Sequence, residues 1–247
     1  MNTTQTEKPT IGQLVAESPS RSRVFEKLEI DYCCGGKRKL DDVCREKGLD
    51  PDTVYRLLQA FDAAASVETA VPEKDWLHAP LTELCDHIER THHAYLKDEL
   101  PRLVELVAKV ARVHGDHQPH LRQVEQIFNA FFGELNQHMQ KEECVLFPMV
   151  RELEKAKHLP AFHCGTVENP IQVMELEHEH AGNALFDMRN LTSGFTPPAE
   201  ACNSYRAMLQ RLAHLEHDMH QHVHKENNIL FPRAAALEKK LGSSAGN

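Results

Sequence analysis

The chain has 247 residues, 41% of them apolar and 26% charged, which suits a sizeable globular core plus a small extra module and excludes wholesale disorder. A formal charge of −9 argues against a nucleic-acid or anionic-membrane surface, since phosphate binding draws on clustered Lys and Arg and the one basic cluster, Lys37-Arg38-Lys39, is too short to reverse that. Met1 to Thr10 is polar and no apolar run approaches the roughly 20 residues of a membrane span, so the expectation is a cytoplasmic protein with neither nucleic acid nor membrane among its partners.

In chain order, residues 1–66 read as a small helical domain. Ile11, Leu14, Val15, Val24, Leu28, Val54, Leu57, Leu58 and Phe61 fall at helical spacing, interrupted at Pro19 and at Gly35-Gly36. Residues 67–77, polar and with a proline, read as a linker. The seven cysteines are odd in number and scattered, which describes reduced thiols rather than a disulfide framework. Cys33 and Cys34 are the thiol candidates. Gly35-Gly36 and Lys37-Arg38-Lys39 predict a flexible, positively charged setting that favours the thiolate, with ordinary packing of a buried thiol as the bland alternative. A disulfide between adjacent cysteines would be strained, so another thiol or a metal is the better partner. Cys44, Cys85, Cys144, Cys164 and Cys202 read as structural.

From residue 78 to 247 four long periodic stretches follow, separated by turn signals at His114-Gly115-Asp116, Leu159 to Pro170 and Ser193 to Pro198. The fold class predicted is all-α, an up-down four-helix bundle preceded by the small helical domain. In the second stretch the inward seam reads Val124, Phe128, Phe131, Leu135, His138, Glu142, Val145, Met149. In the fourth it reads Tyr205, Met208, Leu212, Leu215, Met219, His222, Glu226, Ile229, and in the third Ile171, Met174, His178, Ala181, Leu185, Met188. An ionised carboxylate in an apolar core costs several kcal/mol or more unless it is paired or bound to a cation. Each glutamate lies four residues after a histidine, so both side chains leave the same helix face and can share a metal or adjacent metals. Imidazole with carboxylate suits iron, zinc or manganese, and spacing alone does not separate them.

The first stretch is ambiguous. Counting back from Val110 through Val107, Leu103, Leu100 and Leu96 lands on His93, whereas counting forward from Leu81, Leu84 and Ile88 favours Thr91 or His92. An internal repeat helps: HMQKEECVLFP at 138–148 and HVHKENNILFP at 222–232 are offset by 84 residues. Measured against His178, His93 is offset by 85 and His92 by 86, so His93 is the better equivalent. The predicted metal set is His93, His138, Glu142, His178, His222 and Glu226. Glu134, Glu177 and Asp218 lie close to these in sequence and are candidates for supporting the ligands or carrying protons. His114, His117, His120, His214, His217, His220 and His224 fall off the seams or near helix ends and read as solvated.

DYCCGGK at 31–37, EKDW at 73–76, HMQKEECVLFP, VMELEHEHAG at 173–182, TPPAEAC at 196–202 and HVHKENNILFPR resemble the hemerythrin-like di-iron proteins that repair iron-sulfur clusters, over nearly the whole chain. The resemblance implies a hemerythrin-like bundle with two irons per chain, held by the six residues above with both glutamates bridging. It implies a stress-response function: restoring clusters damaged by nitric oxide or oxidants, with damaged iron-sulfur proteins as partners. A homodimer is a separate possibility, with the oligomeric state left open by the sequence. Three other classes stay open: a protein that binds or senses oxygen or nitric oxide, a nitric oxide or peroxide reductase, and a structural zinc bundle.

Overall fold

The computed structural model describes residues 8–68 and 74–244, so residues 69–73 of the predicted linker lie outside the described residues. Among the described residues every named element is helical, and strand-type pairing is confined to isolated bridges, Thr10 with Lys39 and Phe162 with Gly165. The chain divides into two compact units, Met1–Pro80 together with Val223–Pro232, and Leu81–His222 together with Arg233–Asn247.

The first unit is built from α1 (Ile11–Glu17), α2 (Ser22–Lys27), α3 (Leu40–Glu46) and α4 (Pro51–Glu68). Thr10 and Gln13 close a capping box at the start of α1, each side chain accepting a hydrogen bond from the other's backbone N–H. Short 3-10 turns at Pro19–Arg21 and Gly35–Lys37 stand where the sequence breaks its periodicity. Ile11, Val15, Phe25, Leu40, Cys44, Val54 and Leu58 form the core. Leu57, expected among them, stays 46% exposed, because its neighbour Leu58 takes the inward face of α4.

Asn228 ties the segment 223–232 to the loop at 32–36. Its Nδ2 donates to the carbonyls of Tyr32, at 3.2 Å, and Cys33, at 3.1 Å, and a Cβ on Gly12 or Gly36 would run into its amide. These two glycines are needed for close approach. Asn228→Ala removes the donor from both carbonyls, so a loss of about 1–2 kcal/mol in denaturant-unfolding stability is expected; an unchanged midpoint would mean that water replaces the amide without cost.

The up-down four-helix bundle belongs to the second unit apart from residues 223–232 of its fourth rod, and three of its four rods contain a π-helical turn. The first rod is α5 (Leu81–Ile88), a π turn at Glu89–His93 and α6 (Ala94–His114). The second is α7 (His120–Lys141), a π turn at Glu142–Leu146 and α8 (Phe147–Lys155). The third is α9 (Glu168–Leu191), and the fourth is α10 (Asn203–Lys225), a π turn at Glu226–Leu230 and α11 (Phe231–Ser244). Remote carboxylates cap two of the rods: Glu154 accepts from the N–H groups of Leu81 and Thr82 at 2.6 and 2.8 Å, and Glu238 from Val167 at 2.9 Å. Arg211 pairs with Glu99, and Arg189 with Glu216, tying α10 to α6 and α9. Leu96, Leu100, Leu103, Val107, Phe128, Phe131, Leu185 and Leu212 fill the interior between them.

Candidate metal centre

Each of the three π turns carries one or more of the predicted ligands: His93 ends the first, Glu142 begins the second and Glu226 begins the third. A π turn adds one residue to a helix without breaking it, and such turns recur at functional sites. The turn at 89–93 explains the two conflicting counts in the first rod. The seam through Ile88 and the seam through Leu96 are both correct within their own segments, and the added residue separates them by one step. His93 is wholly buried, and His92 is also buried.

His93, Glu142, His222 and Glu226 place one donor atom each within 4.8 Å of one another, and so do His138, Glu142, His178 and Glu226. Both carboxylates are shared between the two groups. His93 Nε2 and His138 Nε2 each lie 3.3 Å from Glu142 Oε2, and His178 Nε2 lies 3.1 Å from His138 Nε2. Glu142, Glu226, His93 and His222 have no exposed surface, His178 has 1% and His138 has 3%. Neutral imidazoles cannot balance two buried negative charges, whereas cations held between these donors can, so the donor set fits metal binding.

Carboxylates on the rim fix the rings. His138 Nδ1 lies 3.0 Å from Glu177, whose other oxygen takes Lys141. The hydrogen bond from His138 is the largest influence on Glu177, and with Lys141 it outweighs burial and brings the carboxyl down to about 2. His93 Nδ1 lies 2.8 Å from Glu143, which also accepts from Lys97 at 2.6 and 2.7 Å. Burial opposes the Glu143 charge, yet Lys97 and His93 overcome it and hold its pKa below the ordinary value. With the proton on Nδ1, the Nε2 lone pair of each ring is left to face the metal position. Glu143 was not singled out by the sequence: it follows Glu142 directly, and its neighbourhood with His93 depends on the packing of two rods.

Asp218 was expected near His222, but its Oδ1 instead meets His92 Nδ1 at 2.9 Å, and the His92 ring stacks on His222 with centroids 5.2 Å apart. Glu134 lines a cleft between α7 and α9 with Phe131, Leu135, Lys141 and Glu177, and the cleft reaches His138 and His178. His224 corrects the reading of the remaining histidines as solvated: it is buried, its ring stands edge-on to Tyr32, and burial lowers its pKa to about 4.

The thiols also differ from expectation. Cys33 is buried, Cys34 is partly exposed, and none of the seven cysteines is in a disulfide. Gly36 is buried against Asn228, so the glycine pair supplies close packing where flexibility was expected. The neighbouring Cys34 thiol, then burial, raise the Cys33 pKa well above its ordinary value, which keeps the proton on sulfur and reverses the expected preference for the thiolate.

His93→Ala should weaken metal affinity about tenfold more than His92→Ala, because a lost donor atom costs more than a lost neighbour that orients one. Competition with a chelator measures this. Equal losses would make the His92–Asp218 pair as important to the metal as His93 itself.

Residues 84–234 match the hemerythrin HHE cation-binding domain. Residues 7–62 match ScdA_N, a domain of unknown function (DUF542). The protein of Escherichia coli O81 (strain ED1a) named iron-sulfur cluster repair protein YtfE is 37% identical to this chain over 228 residues, which is 92% of the chain and 97% of that relative. The protein of the same name from Escherichia fergusonii is 37% identical over the same shares of both chains.

Proposed function

The chain belongs to the hemerythrin-like family of iron-sulfur cluster repair proteins, and on that premise we propose that it holds two irons in the bundle and supplies iron to clusters damaged by nitric oxide or oxidants. The observation that carries the reading is the pair of ligand groups with both buried carboxylates in common. A shared carboxylate serves two cations and keeps them close, which is how helical bundles build dinuclear centres. Bound there, the irons supply a redox-active store whose ligands leave coordination positions for exchange.

The residues of the chain do the rest. Glu177 and Glu143 hold the Nδ1 protons of His138 and His93, which fixes each ring as a neutral donor. Glu142 and Glu226 have no exposed surface, so bulk water is kept from both carboxylates. The cleft at Glu134, Lys141 and Glu177 supplies a polar path to His138 and His178. No described helix is long and apolar enough to cross a membrane; the reading places the protein in the cytoplasm, where its partners are damaged iron-sulfur proteins.

Protein purified without added metal is expected to contain about two irons per chain and to restore activity to a cluster enzyme damaged by nitric oxide. One metal per chain, or zinc in stoichiometric amount from iron-replete cells, would overturn the di-iron reading. The same cleft, apolar at Phe131, Leu135 and Ala181, favours a second reading in which a diatomic gas is bound or sensed. A reversible spectral change without loss of iron, and without repair, would select it.

A further inference from the structure

We propose that Asp31, Cys33 and Cys34 form a second metal site, apart from the bundle centre, that takes one thiophilic divalent cation of the ferrous class. This goes beyond the proposed function, since it requires neither iron in the bundle nor a repair activity.

The three side chains each offer a donor atom within 4.8 Å of the others. The two sulfurs are 3.9 Å apart. That is nearly twice the ~2.05 Å of a disulfide, but it matches the edge of a tetrahedron drawn with metal–sulfur bonds of about 2.3 Å, roughly 3.8 Å. Asp31 Oδ1 lies 3.1 Å from Cys33 Sγ, on the same side as both thiols.

The site is already assembled. Asp31 Oδ1 accepts from the N–H groups of Cys33 and Cys34 at 2.9 and 3.0 Å, and Oδ2 from Gly35 at 2.8 Å. These bonds fix the carboxylate, while Asn228 fixes the loop from the other side through the Tyr32 and Cys33 carbonyls. A cation therefore meets ordered donors and needs little rearrangement of the chain. Asp31 is exposed and Cys34 partly so, while Cys33 is buried, so the ion enters from solvent and the inner sulfur closes over it.

The balance is simple. Two thiols give up two protons to solvent, and the divalent cation takes their place, so the charge of the loop is unchanged. Deprotonation of Cys33 ends its hydrogen bond to Asp31 Oδ1; the three backbone N–H groups then take three of the carboxylate's four lone-pair sites, and the fourth, on Oδ2, becomes the third donor. Three protein donors leave one tetrahedral position for water or for a donor from another molecule, the arrangement of a site that exchanges its ion and not of a closed structural one.

Cobalt(II) added to the full-length protein under reducing, anaerobic conditions tests this. A thiolate-to-cobalt charge-transfer band in the near ultraviolet is expected to grow to one equivalent per chain. No sulfur is among the bundle donors, so Glu142→Ala should keep the band even where it loses bundle metal, and the two readings fail separately. The band should vanish in Cys33→Ser/Cys34→Ser, and Asp31→Asn, which keeps an acceptor for the loop, should weaken affinity about tenfold or more. Should the double variant fail to fold, Cys34→Ser at its half-exposed position takes its place, with roughly half the band intensity expected from one thiolate. No band at saturating cobalt, or a band unchanged by the cysteine substitutions, would overturn the site. An affinity unchanged in Asp31→Asn would remove the carboxylate and with it the proposed ligand set.

Discussion

Glu142→Ala and Glu226→Ala are each expected to cut bound iron from about two per chain to less than one, because each carboxylate belongs to both ligand groups. Loss of a donor used by only one group, as in His178→Ala, should spare the other group and leave about one iron. The thermal stability of the same variants should change sign with metal. When metal is bound, the wild-type protein is the more stable, since removing one partner of a buried charge pair costs about 3–5 kcal/mol. When metal is stripped by a chelator, the wild-type protein keeps two fully buried carboxylates close together without the cations, and replacing one with alanine relieves part of their repulsion and desolvation. The alanine variants are then expected to melt higher than the stripped wild-type protein. Melting curves with and without chelator decide it: variants less stable under both conditions would mean that the carboxylates hold the bundle together by themselves, without a cation.

The polar interruptions of the seams were legible because helix periodicity is a one-dimensional signal. Phe128, Phe131 and Leu135 lead to His138 at steps of three and four, and all are buried as the spacing requires. The π turns left only an indirect trace in the sequence. One added residue at 89–93 appeared as two counts that disagree at His92 and His93, and a disagreement of one step between the halves of a periodic stretch is the signature of such a turn. The same turn at 142–146 moves burial from Val145 to Leu146 and Phe147. What the sequence could not supply were pairings across rods. Glu143 with His93 and Asp218 with His92 each bring together residues of different rods. Spacing along one helix is blind to them. His224 failed for a related reason: it lies off the bundle seam, yet its face is covered by Tyr32, a residue some 190 positions away.

Cys33→Ser/Cys34→Ser is expected to lower repair of a nitric-oxide-damaged cluster enzyme by an order of magnitude or so while leaving the iron of the bundle in place. Serine keeps the size of cysteine and removes the sulfur, which is the donor for soft and borderline metals. The bundle donors are imidazoles and carboxylates only, so nothing in the substitution removes an atom from that centre. The fold should survive as well, because Asp31 accepts from the backbone N–H groups of residues 33, 34 and 35 and Asn228 donates to backbone carbonyls, and none of these bonds involves sulfur. Iron analysis and the repair assay on one preparation give the two readouts. Iron lost together with the thiols would place the cysteines in the bundle centre, and undiminished repair would reduce the loop to a scaffold. A mixture of the double-serine variant with Glu142→Ala then separates two routes for the iron. Recovery of repair in the mixture means that iron leaves the bundle of one chain for the thiols of another, since neither variant has both parts. Continued failure, with both proteins folded and the serine variant loaded, means that the transfer is confined to a single chain.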